Sequence, residues 1–518
     1  MPAGLLGIRS RGRGPKRVDG PTFAGFDKSE RGSRLPSNAF QHPASPPSGT
    51  AATDDALCRK IRGTALSVQR RLVKMTAALA PPQRTELTPS VKFGALEYGF
   101  WIFLLIAIGR IGELIPGLSS FPLGKISLAL PLVIRLAQHR RLPGLTTSTR
   151  PLARTAKWLA VLAVLLTSIS IWPGASVNFL IQQLTVLIAV VSIAYVMCRA
   201  WRSLRATLLA LVLSGAILAR AALSTYTGGR AETATMYDTN DLAYLLVTVL
   251  PLAIGFVICS RTNAKRILYG GIVATLLVAV LLTQSRGGLL GLVAIVLFMT
   301  FAPIRAPTKP AGKAPIKRKG KIWLMVGVFG FGLLVWSYLP KDARERFSTV
   351  LDLTHDYNLD PTDKTGRGQI WTRGLRAAKA RPIGYGPETF DMVDMNYGGK
   401  FSAPHNSLLE ALVELGVLGF ILFVTAYVRA WRGLQGARRN LLAGESLSID
   451  QEEQVVFARL LQVSLVGNAV AGFFLSMAYA TVLWTILALS MAVMAMAEQA
   501  AAGKPKQGPS LYRREIPP

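Results

Sequence analysis

The feature that most constrains the fold is a series of about twelve apolar runs between residues 93 and 496. Most approach the ~20 residues that a helix needs to cross ~30 Å of hydrocarbon. With 51% apolar residues, the composition is too hydrophobic for a soluble globule. We therefore expect an all-α, polytopic membrane protein with about twelve transmembrane helices. The runs are 93–109, 121–137, 155–172, 177–197, 204–223, 241–259, 266–283, 287–301, 322–339, 405–427, 457–476 and 478–496.

The chain divides into five predicted segments. The first is a basic N-terminal arm, expected to be disordered because its Gly, Pro, Ser and Arg content buries too little apolar surface. An alternative is that translation starts at Met75, within that arm. The segments are the arm 1–90, helices one to nine in 91–339, a large external loop with short helices in 340–404, helices ten to twelve in 405–498, and a tail in 499–518.

The distribution of Lys and Arg predicts the orientation. Every even-numbered connection between runs is basic, as at Arg205, Arg266 and Arg438, whereas the odd connections are nearly free of basic residues apart from single arginines and the long loop. Because Lys and Arg near span ends are retained on the cytoplasmic side, both termini and the tail are predicted to be cytoplasmic. The long loop before the tenth run is then external.

The net charge of +31 first suggests a nucleic-acid partner. No basic patch is interleaved with exposed aromatic residues, so we expect no nucleic-acid binding.

Three scattered cysteines provide neither a disulfide framework nor a thiolate metal site, and the four histidines lack metal-ligand spacing. We therefore expect no metal and no cofactor.

The end of the long loop carries local structure. Residues 369–380 show helical spacing, with Ile370, Trp371, Leu375 and Ala378 on one side. Pro382 stops this helix. The glycines of the following sequence Gly-Tyr-Gly-Pro, residues 384–387, favour a turn with positive φ.

Four groups predicted to be external could carry chemistry: Arg230, Arg286, Arg367 and His405. Three guanidinium groups in one cavity would hold a diphosphate by charge-assisted hydrogen bonds. Arg286 precedes glycines that open a helix, whose unpaired first amides favour an anion. His405 precedes a helix, where the dipole keeps an imidazole neutral and able to act as a base.

Each of these residues also has a purely structural interpretation. Arg286 is then an interfacial arginine at the membrane edge, and Arg230 and Arg367 are solvated. His405 is then satisfied by its neighbours at the helix start. Charge and spacing alone leave both interpretations open.

Supporting polar residues lie beside these groups. Asn240 and Asp241 are expected first as an N-cap pair at the sixth run, with a secondary role in orienting an arginine or substrate. Glu410 and Glu414 fall inside the tenth run, where a carboxylate is costly unless it faces protein or water. They are candidate orienting groups.

Four segments, in this order, resemble the O-antigen ligase and O-antigen polymerase family of bacterial membrane proteins. The resemblance covers about residues 225–425, and Thr239 departs from the proline that the family often has before the asparagine. The segments are YDTNDLA at 237–243, SRGG at 285–288, GRGQIW at 366–371 leading to PIGYG at 382–386, and PHNSLLE at 404–410 followed by Glu414.

This resemblance implies a metal-independent glycosyltransferase of the bacterial inner membrane with a periplasmic active site. Its donor would be a glycan on undecaprenyl diphosphate, and its acceptor a glycan or the lipid A core, in O-antigen or exopolysaccharide assembly. Arg286, Arg367 and, less directly, Arg230 are implied diphosphate contacts, and His405 is implied to help the acceptor hydroxyl attack. We expect Asn240, Asp241, Asn406, Glu410 and Glu414 to support these groups. The resemblance does not decide whether the enzyme is a ligase or a polymerase, and it does not give the oligomeric state.

Two other functions fit a membrane protein with external arginines. One is a transporter for a small anion such as bicarbonate, but no pair of inverted repeats is evident. The other is a non-catalytic subunit of a polysaccharide assembly complex, which would tolerate loss of His405.

Overall fold

The computed structural model describes residues 93–301 and 366–502, together with the single positions 337, 341 and 344. The gaps within these ranges are 116, 118–120, 122, 138–143, 198–199, 234–237 and 444–446. The described residues form helices and turns and contain no β-strand, which confirms the all-α class. The predicted arm, the ninth run and most of the tail lie outside the described residues, so the domain boundaries stay predictions.

Ten helices, with one π-helical turn, lie in the first described range. They are α1 (Ala95–Ala107), α2 (Ile111–Leu114), α3 (Leu123–Ala137), α4 (Arg150–Thr167), α5 (Pro173–Phe179), the π turn (Leu180–Leu184), α6 (Thr185–Met197), α7 (Trp201–Ser224), α8 (Thr239–Cys259), α9 (Asn263–Leu282) and α10 (Arg286–Phe301).

Six helices lie in the second described range. They are α11 (Arg367–Ala380), α12 (Phe390–Asn396), α13 (Ser407–Glu414), α14 (Gly416–Leu442), α15 (Ile449–Gly472) and α16 (Thr481–Ala502). The short helices α11 and α12 belong to the predicted external loop.

Seven helices among the described residues are long and apolar enough to cross a membrane. They are α5–α6 taken together, α7, α8, α9, α14, α15 and α16. Shorter apolar helices, α1, part of α3 and α10, occupy three further predicted runs. The chain is therefore a multi-pass membrane protein, and the count of twelve spans stays a prediction. α8 and α16 are the most buried spans, with α15 close behind.

Side-chain contacts show which of the connections between helices lie at the same end of the bundle. At one end, Glu453 of α15 pairs with Arg205 of α7 (3.0 Å), and Glu498 of α16 accepts from the Ser148 amide before α4 (2.8 Å). These contacts join predicted even connections. At the other end, Arg230 donates a hydrogen bond to the Thr283 carbonyl, and the His405 amide donates one to the Ser476 hydroxyl. These two contacts join odd-numbered connections. We call this second end the site end.

The tenth predicted run, 405–427, is not one helix. α13 ends at Glu414, and α14 starts at Gly416, whose φ is +71°. The turn after α11 enters this break: the amides of Tyr385 and Gly386 donate to the carbonyls of Val413 and Glu414, each at 3.0 Å. The turn therefore satisfies carbonyls that a helix end leaves unpaired. Sequence periodicity did not show the break, because it depends on a segment thirty residues away.

The turn itself confirms the glycine prediction. Gly384 and Gly386 have φ of +99° and +106°, which side chains rarely adopt. A Cβ on Gly384 would lie 2.6 Å from Glu414 O. Glycine is thus needed for both conformation and close approach.

The buried face of α11 differs from the predicted one. Ile370, Arg373, Gly374 and Ala377 are buried, together with Ala378, whereas Leu375 is 56% exposed. The face turns toward Phe390, since a Cβ on Gly374 would lie 3.1 Å from that ring. Arg373 is tolerated there because its Nε pairs with Asp394 Oδ1 at 2.6 Å.

Candidate functional site

Arg230 connects two loops at the site end. Its Nε donates to Thr283 O and its Nη2 to Asn240 Oδ1, both at 3.1 Å. Gln284, whose φ is +52°, donates from its side chain to Gly229 O. The loop before α8 is therefore fastened to the loop before α10, and Arg230 has a structural role whether or not it contacts a substrate.

Asp238, and not the expected Asn240 and Asp241 pair, caps α8. Its Oδ1 accepts from the Asn240 amide at 3.0 Å, which leaves the Asn240 side chain to orient Arg230. Burial opposes ionisation of Asp238, but hydrogen bonds from Asn240 and Thr239 and the charge of Arg230 hold its pKa below the ordinary value. Asp241 lies within α8, close enough to Arg110 for electrostatic attraction.

Arg286 is the first residue of α10, one residue before the predicted start of the helix. The Gly288 amide, however, donates to Ser285 Oγ at 3.2 Å, so this amide is already paired and not available to an anion. The glycines serve close packing: a Cβ on Gly287 would lie 2.9 Å from Phe474 Cβ. The start of α10 therefore packs on the connection between α15 and α16.

His405 is attached to that same connection. Its amide donates to Ser476 Oγ at 2.9 Å, two residues from the Phe474 that packs on Gly287. Arg286 and His405 thus lie at the same end of the bundle. Trp371 adds a link, because its ring lies 5.6 Å from that of Phe473.

The His405 imidazole is influenced by two opposite charges. It is half-buried. Burial and the positive charge of Arg367 lower its pKa, and the negative charge of Asp238 opposes them. The net effect keeps the imidazole neutral at neutral pH, as a general base requires.

Glu410 and Glu414 are buried and hold backbone in place. Glu410 accepts from the Ala478 amide at 3.0 Å. Glu414 accepts from the amides of Glu388, Thr389 and Phe390 and from the Tyr479 hydroxyl (2.8 Å). Burial and the charge of Glu388 raise the pKa of Glu414 to about 8. Burial and the charge of Glu414 raise the pKa of Glu410 above its usual value.

Asn406 caps α13. Its Oδ1 accepts from the amides of Leu408 and Leu409, at 2.9 and 3.0 Å. The side chain is buried, so its role is to start the helix directly after His405. Within the described ranges, no group of three His, Cys, Asp or Glu side chains is placed to hold a metal ion.

Comparison with protein families supports the resemblance found in the sequence. Residues 271–424 match the family model described as O-antigen ligase. This part of the chain is similar to the O-antigen ligase family. The O-antigen ligase match contains Arg286, Arg367 and His405, whereas Arg230 precedes it. A search of curated proteins found no match.

This similarity to the O-antigen ligase family supports a glycan ligase or polymerase role and a glycosyltransferase-like enzyme. It also implies lipid-linked glycan and membrane lipid as partners.

The sequence did not single out several residues that organise the site. Asp238 was visible as a cap-forming residue before an apolar run, but its charge on His405 depends on tertiary structure. Gln284 and Ser476 carry no local signal, because their partners lie 55 and 71 residues away. Trp371 was assigned to a helix face, although its indole N–H donates to Pro404 O at 2.9 Å.

Proposed function

We propose that this protein transfers a glycan from undecaprenyl diphosphate to an acceptor hydroxyl at the periplasmic face of the bacterial inner membrane. Arg286 and Arg367 hold the diphosphate, with Arg230 fixing the neighbouring loops and contributing charge. His405 accepts the proton of the attacking hydroxyl. The acceptor is a growing glycan or the lipid A core, and both fit the same reaction.

The observation that carries this proposal is that His405 is half-buried and close enough to Arg367 for the guanidinium charge to lower its pKa. A neutral imidazole beside a guanidinium places a base next to an anion-binding group. General-base help of this kind typically contributes ~10²–10⁴ in rate. A diphosphate is a good leaving group, and arginines stabilise its developing charge without requiring a metal.

An apolar cavity supports a lipid-linked donor. Its volume is about 420 Å³, and it lies between α4, α5–α6, α14 and α16. One wall includes Ala411, Ala478 and Tyr479, the last of which donates to Glu414. Such a lining favours a hydrocarbon chain over a sugar.

The test replaces Arg286, Arg367 and His405 singly with alanine in cells that depend on this protein for surface glycan. We expect each variant to lose surface glycan and to accumulate lipid-linked donor, because supply continues while transfer stops. Gel analysis of the glycan and mass spectrometry of extracted lipid measure the two quantities.

Arg376→Ala is the matched control, since Arg376 lies on the same helix as Arg367 but is exposed. It should behave as wild type. Normal glycan in all three test variants at wild-type protein levels would overturn the proposal. Loss of glycan without donor accumulation would also contradict it, since that result indicates a defect upstream of transfer.

A further inference from the structure

His405 has an unusual backbone conformation. Its φ is +45°, in the left-handed region that non-glycine residues adopt only occasionally, although histidine does so more readily than most. Such conformations persist only where surrounding contacts enforce them. The contacts around His405 therefore show what places its imidazole.

The residue before His405 is held by the external segment. Pro404 is buried, and its carbonyl accepts from Trp371 Nε1 at 2.9 Å. The Trp371 ring is itself fixed, edge-on, 5.6 Å from the Phe473 ring. Trp371 lies one helical turn after Arg367 on α11, so the same short helix carries the arginine and holds the histidine backbone.

The other side of His405 is held by the connection between α15 and α16. The His405 amide donates to Ser476 Oγ at 2.9 Å. Two residues on, Ser407 Oγ donates to Leu475 O at 2.7 Å and accepts from the Met477 amide at 2.9 Å. Ser476 is thus the side chain that bonds His405 directly, inside a connection that is otherwise fastened to α13.

We propose that Trp371 and Ser476 are positioning residues for His405: together they hold its backbone left-handed and thereby keep the imidazole beside Arg367. This inference rests on the proposed function, in which His405 is the base. Without either hydrogen bond, the backbone relaxes to a conformation with negative φ. The imidazole then moves away from Arg367 and Asp238, the two charged groups that act on its pKa.

The test uses substitutions that remove one hydrogen bond each. Trp371→Phe keeps a ring against Phe473 but loses the N–H donor, and Ser476→Ala loses the acceptor. Transfer from the endogenous lipid-linked glycan is measured in permeabilised membrane vesicles as a function of pH. We expect a rate about 10- to 100-fold lower in each variant, as misplacement of a reacting group produces.

The pH profile separates positioning from general loss of structure. In the wild type, burial and Arg367 keep the imidazole neutral, so the rate falls only at low pH. In both variants the midpoint of this fall should move to higher pH, toward that of an ordinary imidazole. Ser476→Thr, which keeps the hydroxyl, should restore both rate and midpoint.

Two matched controls lie elsewhere in the bundle. Trp101→Phe removes an indole hydrogen bond to Thr207 (3.0 Å), and Ser490→Ala removes a serine hydrogen bond to Ile486 O (2.7 Å). Both should keep the wild-type rate and midpoint. If Trp371→Phe does not accumulate in membranes, the comparison of Ser476→Ala with Ser476→Thr decides.

The positioning role is overturned if Ser476→Ala keeps the wild-type rate, or if its rate falls while the midpoint stays in place. His405→Ala, measured in parallel, tests the proposed function separately. Its full activity would remove His405 as the base. If His405→Ala is inactive while Ser476→Ala keeps the wild-type rate and midpoint, only the positioning role is refuted.

Discussion

The charges of Arg367 and Asp238 act on the pKa of His405 in opposite directions. Asp238 also caps α8, bonds Asn240 and attracts Arg230. One carboxylate thus connects the start of a central span, the loop arginine and the candidate base. At the scale of single residues, Asp238 thus contributes both hydrogen bonds and charge to the site.

Asp238→Asn tests this arrangement. Asparagine still caps a helix, so α8 should form normally, but the negative charge is removed. The pKa of His405 should fall, because the attraction of Asp238 for its protonated form is lost. The rate of glycan transfer should therefore persist to lower pH than in the wild type.

The measurement is the pH profile of transfer in membrane vesicles, with Asp450→Asn as control. Asp450 is an exposed first-turn residue of α15, at the opposite end of the bundle from the site. An unmoved midpoint, or one that moves to higher pH, would refute the electrostatic account of His405.

At the scale of elements, the break between α13 and α14 joins the segment that contains α11 and α12 to a membrane span. The turn at Gly384 fills the break, and Glu414 holds the start of α12 through three amides. α11, which carries Arg367, is thereby fixed relative to α13, which follows His405. A continuous span, as the periodicity predicted, would leave no carbonyls for this junction.

Glu414→Ala should loosen the junction. Three amides and the Tyr479 hydroxyl would lose their acceptor, and each unsatisfied buried donor costs about 1–3 kcal/mol. We expect faster hydrogen exchange in residues 388–390 and a lower Tm. Glu232→Ala, at an exposed position, is the control. Wild-type exchange in residues 388–390 of the Glu414 variant would show that the carboxylate does not hold α12.

At the scale of the whole molecule, contacts among the described residues group even-numbered connections at one end of the bundle and odd-numbered connections at the other. This grouping agrees with the alternation of basic residues along the chain. The apolar runs predicted most helices to within a few residues, because burial in lipid demands length and apolar composition. They did not predict the break at Leu415, the cap at Asp238 or the exposed Leu375. Each of these depends on a partner that is distant in sequence.

Cysteine labelling tests the orientation. In a background lacking Cys58, Cys198 and Cys259, Lys400→Cys places a thiol at the site end and Asp450→Cys at the other, both exposed. A membrane-impermeant maleimide added to spheroplasts should label position 400, and should label position 450 only after permeabilisation. The reverse pattern would place the site in the cytoplasm.

The convergence of Arg286, Arg367 and His405 on a lipid diphosphate is tested most directly by a cryo-EM structure of the protein in nanodiscs with undecaprenyl diphosphate. The account predicts diphosphate density within hydrogen-bonding distance of both guanidinium groups, with the His405 imidazole facing it. Density at another location, or an Arg286 side chain directed into lipid while the ligand is bound, would contradict it.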